Sequence, residues 1–127
     1  MLKGVIKMAW NLDGSAPLFI QLADTIRADV LSGKYAPDEQ IPPVRHLAFD
    51  ASVNPNTMQK ALTHLEEEGL LYTKGTAGRF VTSDAEVLRR ARDNYKLSLM
   101  RRLVSEATSA GITKNELIEF IRLEETL

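Results

Sequence analysis

The sequence predicts a mostly helical protein with one small β-hairpin, arranged as a three-helix head followed by a helical tail. Residues 14–83 contain most of the glycines and all of the prolines, with three short stretches of helical apolar spacing between them. Two short β-type segments close that section, and residues 84–127 contain one glycine and no proline. We therefore expect an N-terminal arm over 1–13, a head over 14–83 and a tail over 84–127.

Composition and charge limit the functions that the chain can have. It has 127 residues, 44% hydrophobic content, 16 Lys+Arg and 17 Asp+Glu, for a net charge of -1. Nucleic-acid binding must therefore depend on locally placed cations, because there is no overall basic field. The absence of cysteine excludes disulfides, thiolate metal sites and cysteine nucleophiles. No stretch approaches the ~20 apolar residues that span a bilayer, so we expect a cytoplasmic protein with no membrane partner.

Two helices are predicted before residue 52. The first begins near Pro17, which suits a first helical turn, and ends before Gly33. Its expected buried face consists of Phe19, Leu22, Ala23, Ile26 and Val30. After a loop at 34–42, Pro43 is expected in the first turn of a shorter second helix. The apolar stripe of that helix consists of Val44, Leu47, Ala48 and Ala51.

The third helix has the clearest start signal in the sequence. Asn54 is a strong N-cap residue, and Pro55 follows at the first helical position with its φ angle preset. The predicted buried stripe consists of Met58, Ala61, Leu62 and Leu65. The opposite side carries Asn56, Lys60 and Thr63, flanked by Gln59. Gly69 is expected to end the helix, and the acidic residues 66–68 before it are expected to form a solvated helix end.

Two further helices are predicted in the tail. A long helix is expected from Ser83 to about Ser109, and Gly111 then breaks it. Thr113 and Glu116 have the spacing of a capping box, which predicts the start of a final helix that runs almost to the last residue. Because the connection between the two helices is short, we expect a helical hairpin.

Three short helices followed by a hairpin are typical of a winged helix-turn-helix, a DNA-binding architecture. Residues 70–73 and 79–82 have β-type composition and surround a tip at 74–78, which would form the wing. In this architecture amide and hydroxyl side chains pair with base edges in the major groove, and cations bind phosphates. The expected groove residues are Asn56, Gln59, Lys60 and Thr63. Arg45 and Lys74 are expected to contact phosphates or a groove.

Several motifs resemble the DNA-binding domain of the GntR family of transcriptional regulators. They are PLFIQL at 17–22, SGKY at 32–35, IPPVRHLA at 41–48, VNPNTMQKAL at 53–62 and GRFV at 78–81. Together these motifs cover about residues 10–83. The NPNT segment, the WNLD arm at 10–13 and the short tail are similar to the YtrA-like branch in particular. The resemblance implies a repressor, often one that controls neighbouring ABC-transporter genes.

The resemblance also implies roles for single residues. Arg45, on the second helix, would contact DNA. The residues expected at the start of the recognition helix, against the groove, are Asn54, Asn56 and Thr57. The residues expected at the wing tip are Gly75, Thr76, Ala77 and Gly78. Pro43 and Pro55 depart from the family pattern, which commonly has Ser and Arg there, so a capping hydroxyl and one guanine or phosphate contact are absent.

The tail is expected to form a dimer. Its 44 residues are too few for the ligand domains of other GntR branches, and its apolar stripes are too long for two helices to bury against each other alone. A symmetry mate would cover them in a C2 homodimer, with two recognition helices ~34 Å apart on a palindromic operator. The expected dimerisation residues are Leu88, Tyr95, Leu99, Leu103, Leu117, Ile118 and Ile121.

Other functions have less support in the sequence. His46 and His64 lack a third and fourth ligand, so we expect no metal site, and nothing indicates a cofactor. No catalytic residues are expected, because no nucleophile has a recognisable base and acid. The alternative function is a winged-helix module for protein assembly, whose binding would respond weakly to salt. A small-molecule effector, if the protein has one, is expected in the cleft between head and tail.

Overall fold

The computed structural model describes residues 10–125, which form five helices and two strands. These are α1 (Leu18–Leu31), α2 (Val44–Ala51), α3 (Pro55–Glu67), β1 (Leu71–Thr73), β2 (Arg79–Val81), α4 (Ala85–Ser109) and α5 (Lys114–Leu123). The chain divides into two compact units within α4; the first ends at Ala91 and the second begins at Arg92. The predicted fold class is confirmed. The predicted division into arm, head and tail stays a prediction, and its first nine and last two residues lie outside the described residues.

α3 forms the centre of the first unit, because α1 and α2 both pack against it. The core side chains of the three helices are Leu22, Ala23, Ile26, Val30, Leu31, Leu47, Ala48, Ala51, Met58, Ala61, Leu62 and Leu65. Burying one large apolar side chain contributes about 1.5–3 kcal/mol, so this set provides the main stabilisation of the unit. The predicted stripes are confirmed except at Phe19 and Val44, which are half-buried because each lies in the first turn of its helix, at the margin of the core.

The ends of the first three helices follow their local sequence. Asn54 caps α3, because its side-chain Oδ1 accepts a hydrogen bond from the Asn56 amide at 2.7 Å, and Pro55 is the first helical residue, as predicted. Ser52 ends α2 in the left-handed region, with φ of +57°. Pro43 precedes α2 instead of lying in its first turn, because its ψ of 155° is extended. α2 therefore begins one residue later than predicted.

The hairpin is attached to the first unit along both edges of β2. β1 and β2 are antiparallel, with Leu71 opposite Val81. On the other edge of β2, the Ile41 amide donates to the Arg79 carbonyl at 3.0 Å, and Gln40 forms a bridge with Phe80. The segment at 40–41 lies in the predicted loop at 34–42, and its pairing with β2 is not predicted from the sequence. The bridge fixes the hairpin relative to the start of α2.

The second unit contains most of α4 and all of α5. Gly111 ends the turn after α4 with φ of +81°, and the Ile112 amide donates to the Ala107 carbonyl at 2.9 Å. The predicted capping box is confirmed, since Thr113 Oγ1 accepts from the Glu116 amide at 3.1 Å and the Glu116 side chain accepts from the Thr113 amide at 3.0 Å. These hydrogen bonds lower the pKa of Glu116, because they favour its ionised form.

The apolar residues of the second unit remain exposed in a single chain. Among the described residues from 92 onward, no side chain is buried. Leu117, Ile118 and Ile121, which the sequence predicts to be covered by a symmetry mate, are not buried in the single chain; Leu117 is half-buried, and the other two are exposed. α4 has 25 residues, yet in the described part of the chain no helix is long and apolar enough to cross a membrane.

Asn54→Ala is expected to lower the free energy of unfolding by about 1 kcal/mol, because it removes the side-chain cap of α3. Chemical denaturation followed by far-UV circular dichroism measures the change. Asn56→Ala is the matched control, since its side chain is exposed and caps no helix. Equal losses in the two variants would contradict the capping role.

Candidate nucleic-acid interface

The side of α3 that faces away from the core is polar and open to solvent. Met58, Leu62 and Leu65 are fully buried, which fixes the rotation of the helix about its axis. The exposed residues on the opposite side are Asn56, Gln59, Lys60 and Thr63. All four predicted groove residues are thus available to a ligand. Two of them also contact neighbouring elements: Lys60 contacts α1, and Gln59 contacts β2.

Lys60 lies on the flank of α3 that faces α1. Its Nζ is 4.1 Å from the centroid of the Phe19 ring, which is within the range of a cation–π interaction. The same ring meets His64 edge to face, with 5.9 Å between the ring centroids. The half-buried position of Phe19 therefore has a function in the site, because the ring positions the Lys60 ammonium at the surface.

Glu68 extends this flank towards the end of α3. Its carboxylate accepts from Arg27 of α1 and lies 3.2 Å from His64 Nε2. Burial lowers the pKa of Arg27, but its hydrogen bonds and ion pairs with Glu68 and Asp24 outweigh that effect and raise it. Among the described residues, no group of three or more potential ligands could hold a metal ion. His64 instead takes part in packing between helices.

The opposite flank of α3 faces the wing. Arg79, the first residue of β2, pairs through Nε with Glu66, and its Nη1 donates to Gln59 Oε1 at 3.4 Å. Thr73 of β1 donates to the other oxygen of Glu66 at 3.0 Å. The Arg79 side chain is only 16% exposed. This cluster connects the recognition helix to both strands of the wing.

The acidic end of α3 differs from the prediction. Two of its three carboxylates are engaged in ion pairs, Glu66 with Arg79 and Glu68 with Arg27, and only Glu67 matches the expected solvated end. Arg79 is a site residue that the sequence does not predict, because its partners lie on another element, 13 and 20 positions away in the chain. No local sequence pattern reports such a contact.

The N-terminal ends of α2 and α3 carry the remaining predicted contacts outside the wing. Arg45 is exposed in the first turn of α2 and has no ion-pair partner among residues 10–125. Asn54 is exposed, but its Oδ1 is engaged as the cap, so the amide NH2 is the group left for a ligand. Thr57 is half-buried, one turn before the exposed middle of the helix.

The wing tip is a tight turn that requires glycine. The Lys74 amide donates a hydrogen bond to the Gly78 carbonyl across it at 3.0 Å, and Lys74, Gly75 and Thr76 are exposed. Gly78 has φ of +115°, and a Cβ there would lie 2.8 Å from Gln40 Nε2. Gln40 donates to the Ala77 carbonyl, so the side chain that blocks this space also supports the tip.

Three aspartates of the first unit have partners outside the polar face of α3. Asp50 accepts from Trp10 Nε1 at 2.9 Å, Asp38 accepts from the Tyr72 hydroxyl at 2.8 Å, and Asp24 pairs with Arg27 at 2.6 Å. The interface can therefore be locally basic although the chain has a net charge of -1. The cations on or beside it are Arg45, Lys60, Lys74 and Arg79.

Sequence comparison assigns the family. Residues 20–81 match the family model described as bacterial regulatory proteins, gntR family. The chain is 30% identical over 112 residues to the HTH-type transcriptional regulator YhcF of Bacillus subtilis, an alignment that covers 88% of this chain and 93% of YhcF. The chain belongs to the GntR family. It is a DNA-binding transcriptional regulator and not an enzyme, as the sequence analysis predicted.

Further relatives of this GntR protein match most of its length. The HTH-type transcriptional repressor YtrA of Bacillus subtilis is 29% identical over 109 residues, covering 85% of this chain and 84% of YtrA. A GntR family transcriptional regulator from Listeria monocytogenes is similar in structure, with a TM-score of 0.76, 29% identity, and coverage of 90% of this chain and 100% of that one. The predicted YtrA-like resemblance is confirmed.

The similar structures include complexes with DNA. The DNA-binding domain of AraR in complex with the operator ORX1 has a TM-score of 0.56 and 28% identity, and covers 61% of this chain and 99% of that one. This similarity supports DNA as the ligand of the first unit. The individual contact residues of this chain stay predictions.

Gly78→Ala is expected to lower the free energy of unfolding by about 1–3 kcal/mol, because its φ is strained for alanine and its Cβ would collide with Gln40. Chemical denaturation measures the change. The control is Gly75→Asn, since asparagine tolerates the φ of +54° and open space surrounds the position. We expect a change below about 0.5 kcal/mol in the control. Similar losses of unfolding free energy at both positions would contradict the close packing of Gln40 against Gly78.

Proposed function

We propose that this GntR-family regulator is a repressor that binds a palindromic operator as a homodimer. The single observation that carries the proposal is the exposed apolar surface of the second unit, which follows a DNA-binding unit in the same chain. A DNA-binding unit that pairs with a second copy reads two half-sites related by a twofold axis. The similarity to YtrA, which is named a transcriptional repressor, supports repression over activation.

The exposed apolar side chains occur on both helices of the second unit. On α4, Met100, Leu103 and Val104 are 53–56% exposed, and on α5, Phe120 and Leu123 are 63% and 71% exposed. Monomeric proteins rarely leave large contiguous apolar patches in water, because burying each such side chain gains about 1.5–3 kcal/mol. A second copy is the occupant that a symmetric, self-complementary contact would supply.

The proposed dimer surface uses six of the seven predicted residues. These are Tyr95, Leu99, Leu103, Leu117, Ile118 and Ile121. Leu88 is only 4% exposed and belongs to the first unit, where it forms part of the core. We therefore leave Leu88 out of the proposed contact with the partner.

The proposed DNA contacts combine base reading with phosphate binding. Side chains on the polar face of α3 would enter the major groove, while Arg45 and Lys74 would bind phosphates. The proposed groove residues are Asn54, Asn56, Thr57, Gln59, Lys60 and Thr63. The proposed wing-tip contacts are Gly75, Thr76 and Gly78. The exposure of the polar face and the AraR–operator similarity support this assignment.

The proposed mechanism is steric repression. A dimer on an operator that overlaps a promoter would exclude the transcription machinery, and a small-molecule effector could relieve repression by favouring another head spacing. The resemblance to the YtrA-like branch adds the proposal that the target is a neighbouring ABC-transporter operon.

Arg45→Ala and Lys60→Ala are each expected to weaken DNA binding and to make its salt dependence shallower. Each substitution removes one positive charge from the DNA contact, so the log–log slope should fall by up to roughly 0.9. Fluorescence anisotropy at several salt concentrations measures both effects.

Lys34→Ala is the control for this charge series. Lys34 lies beyond the end of α1, and Phe19, which contacts Lys60, lies near the start of the same helix. About 20 Å of helix therefore separates Lys34 from Phe19. The slope of the control should equal that of the wild type. Unchanged slopes in all three variants would overturn the assignment of these cations.

Leu103→Glu is expected to convert the dimer to monomers at micromolar concentration, because it places a charge in the proposed apolar contact. Sedimentation velocity measures the molecular mass. Ser105→Glu, an exposed position two residues along α4, is the matched control and should remain dimeric. A dimeric Leu103→Glu variant would contradict the proposed surface.

The function is tested by selecting bound fragments from sheared DNA of the source genome. We expect an inverted repeat whose half-sites are about one helical turn apart, next to the regulated genes. Recovery of a single unrepeated site would overturn the proposal that a homodimer binds two half-sites. Recovery of no shared sequence would overturn specific recognition.

A further inference from the structure

We propose that Arg79 is a specificity-determining residue, which holds Gln59 so that the recognition helix reads the acceptor edge of a guanine. The inference rests on the proposed function, because it assumes that the polar face of α3 enters the major groove. It goes beyond that function by assigning a base and by adding a residue of the wing to base selection.

The contact with Arg79 favours one orientation of the Gln59 amide. Arg79 Nη1 donates to Gln59 Oε1 at 3.4 Å, so the carbonyl end of the amide faces the wing. The NH2 end therefore points away from Arg79, on the exposed side of α3. A glutamine that could rotate freely would present either end to a base.

Two further residues keep Arg79 in place. Glu66 pairs with Arg79 Nε, and Thr73 donates to the other Glu66 oxygen at 3.0 Å. The planar guanidinium can serve the carboxylate and the amide at once, because its donors form a rigid fork. Glu66 and Thr73 are thus positioning residues, because they hold the Arg79 side chain where it contacts Gln59.

The orientation of the amide selects the base by hydrogen-bonding type. Adenine is read by glutamine through a bidentate contact, in which Oε1 accepts from N6 and Nε2 donates to N7. Here Oε1 already accepts from Arg79, and the neighbouring cation repels an amino donor. Guanine presents only acceptors, O6 and N7, in the major groove. A donor-only amide beside a guanidinium fits that edge.

The other flank of α3 supplies a matched comparison. Arg27 also holds a carboxylate near the end of α3, that of Glu68, but its hydrogen bonds go to Glu68 and Asp24 and not to a residue of the polar face. Arg27→Lys and Arg79→Lys therefore make the same chemical change in two similar ion pairs. Only the second change removes a donor from a residue proposed to read a base.

The experiment selects bound duplexes from a randomised pool with the full-length protein and then measures affinity for every single-base variant of the selected duplex. For the wild type, we expect guanine at one position of each half-site, and we expect Gln59→Ala to remove the preference at that position alone. Arg79→Lys should reduce the guanine-to-adenine affinity ratio there by about five- to tenfold, because the freed amide can read adenine.

Gln59→Glu gives a second test at an exposed position where folding is not at risk. Glutamate offers only acceptors, so the preferred base at the same position should change from guanine to cytosine, whose N4 is a donor. Arg27→Lys should leave the whole base profile unchanged. Thermal unfolding of each variant verifies that the compared proteins are folded.

The outcomes separate this inference from the proposed function. A wild-type preference for adenine at the Gln59-dependent position, or an unchanged profile in Arg79→Lys, overturns the inference while specific DNA binding stands. A pool that yields no preferred sequence with the wild type overturns both. If Arg27→Lys changes the base preferences as much as Arg79→Lys does, the role of Arg79 is only structural, and this result also overturns the inference.

Discussion

The packing of α3 between α1 and α2 is the constraint on which the rest of the first unit depends. Met58, Leu62 and Leu65 are fully buried along one side of α3, and this burial fixes the rotation of the helix. The polar residues at the intervening positions must then face outward together. A rotation by one position would bury amides without partners and expose leucines, and both changes cost free energy. The recognition surface is thus a consequence of core packing.

Ion pairs then decide which groups on that surface are available. The first unit has slightly more acidic than basic residues, yet two of the three carboxylates at the end of α3, those of Glu68 and Glu66, are engaged by Arg27 and Arg79. Lys60 lies over the Phe19 ring and keeps its charge at the surface. Local placement of charge, and not net charge, therefore makes the surface suitable for DNA. The flanks also differ chemically, since one is aromatic and the other connects to the wing.

The second unit follows a different physical logic. Its two helices have good local signals, a glycine turn at Gly111 and a capping box at Thr113, but their apolar side chains remain in water. Local signals are sufficient to define the ends of the helices, whereas the apolar side chains are not buried within one chain. The proposed dimer would resolve this imbalance and would also supply the twofold symmetry that a palindrome requires.

Local sequence signals predict the order and type of all seven elements, the cap at Asn54, the capping box at Thr113 and the polar side of α3. These features depend on residues within a few positions of one another, so local spacing predicts them. Three other contacts are visible only in the folded chain: Phe19 supports Lys60, Gln40 supports the wing tip and Arg79 holds Gln59. Those contacts join residues 20 to 41 positions apart on different elements, and they depend on how the elements pack, which periodicity in one segment does not report.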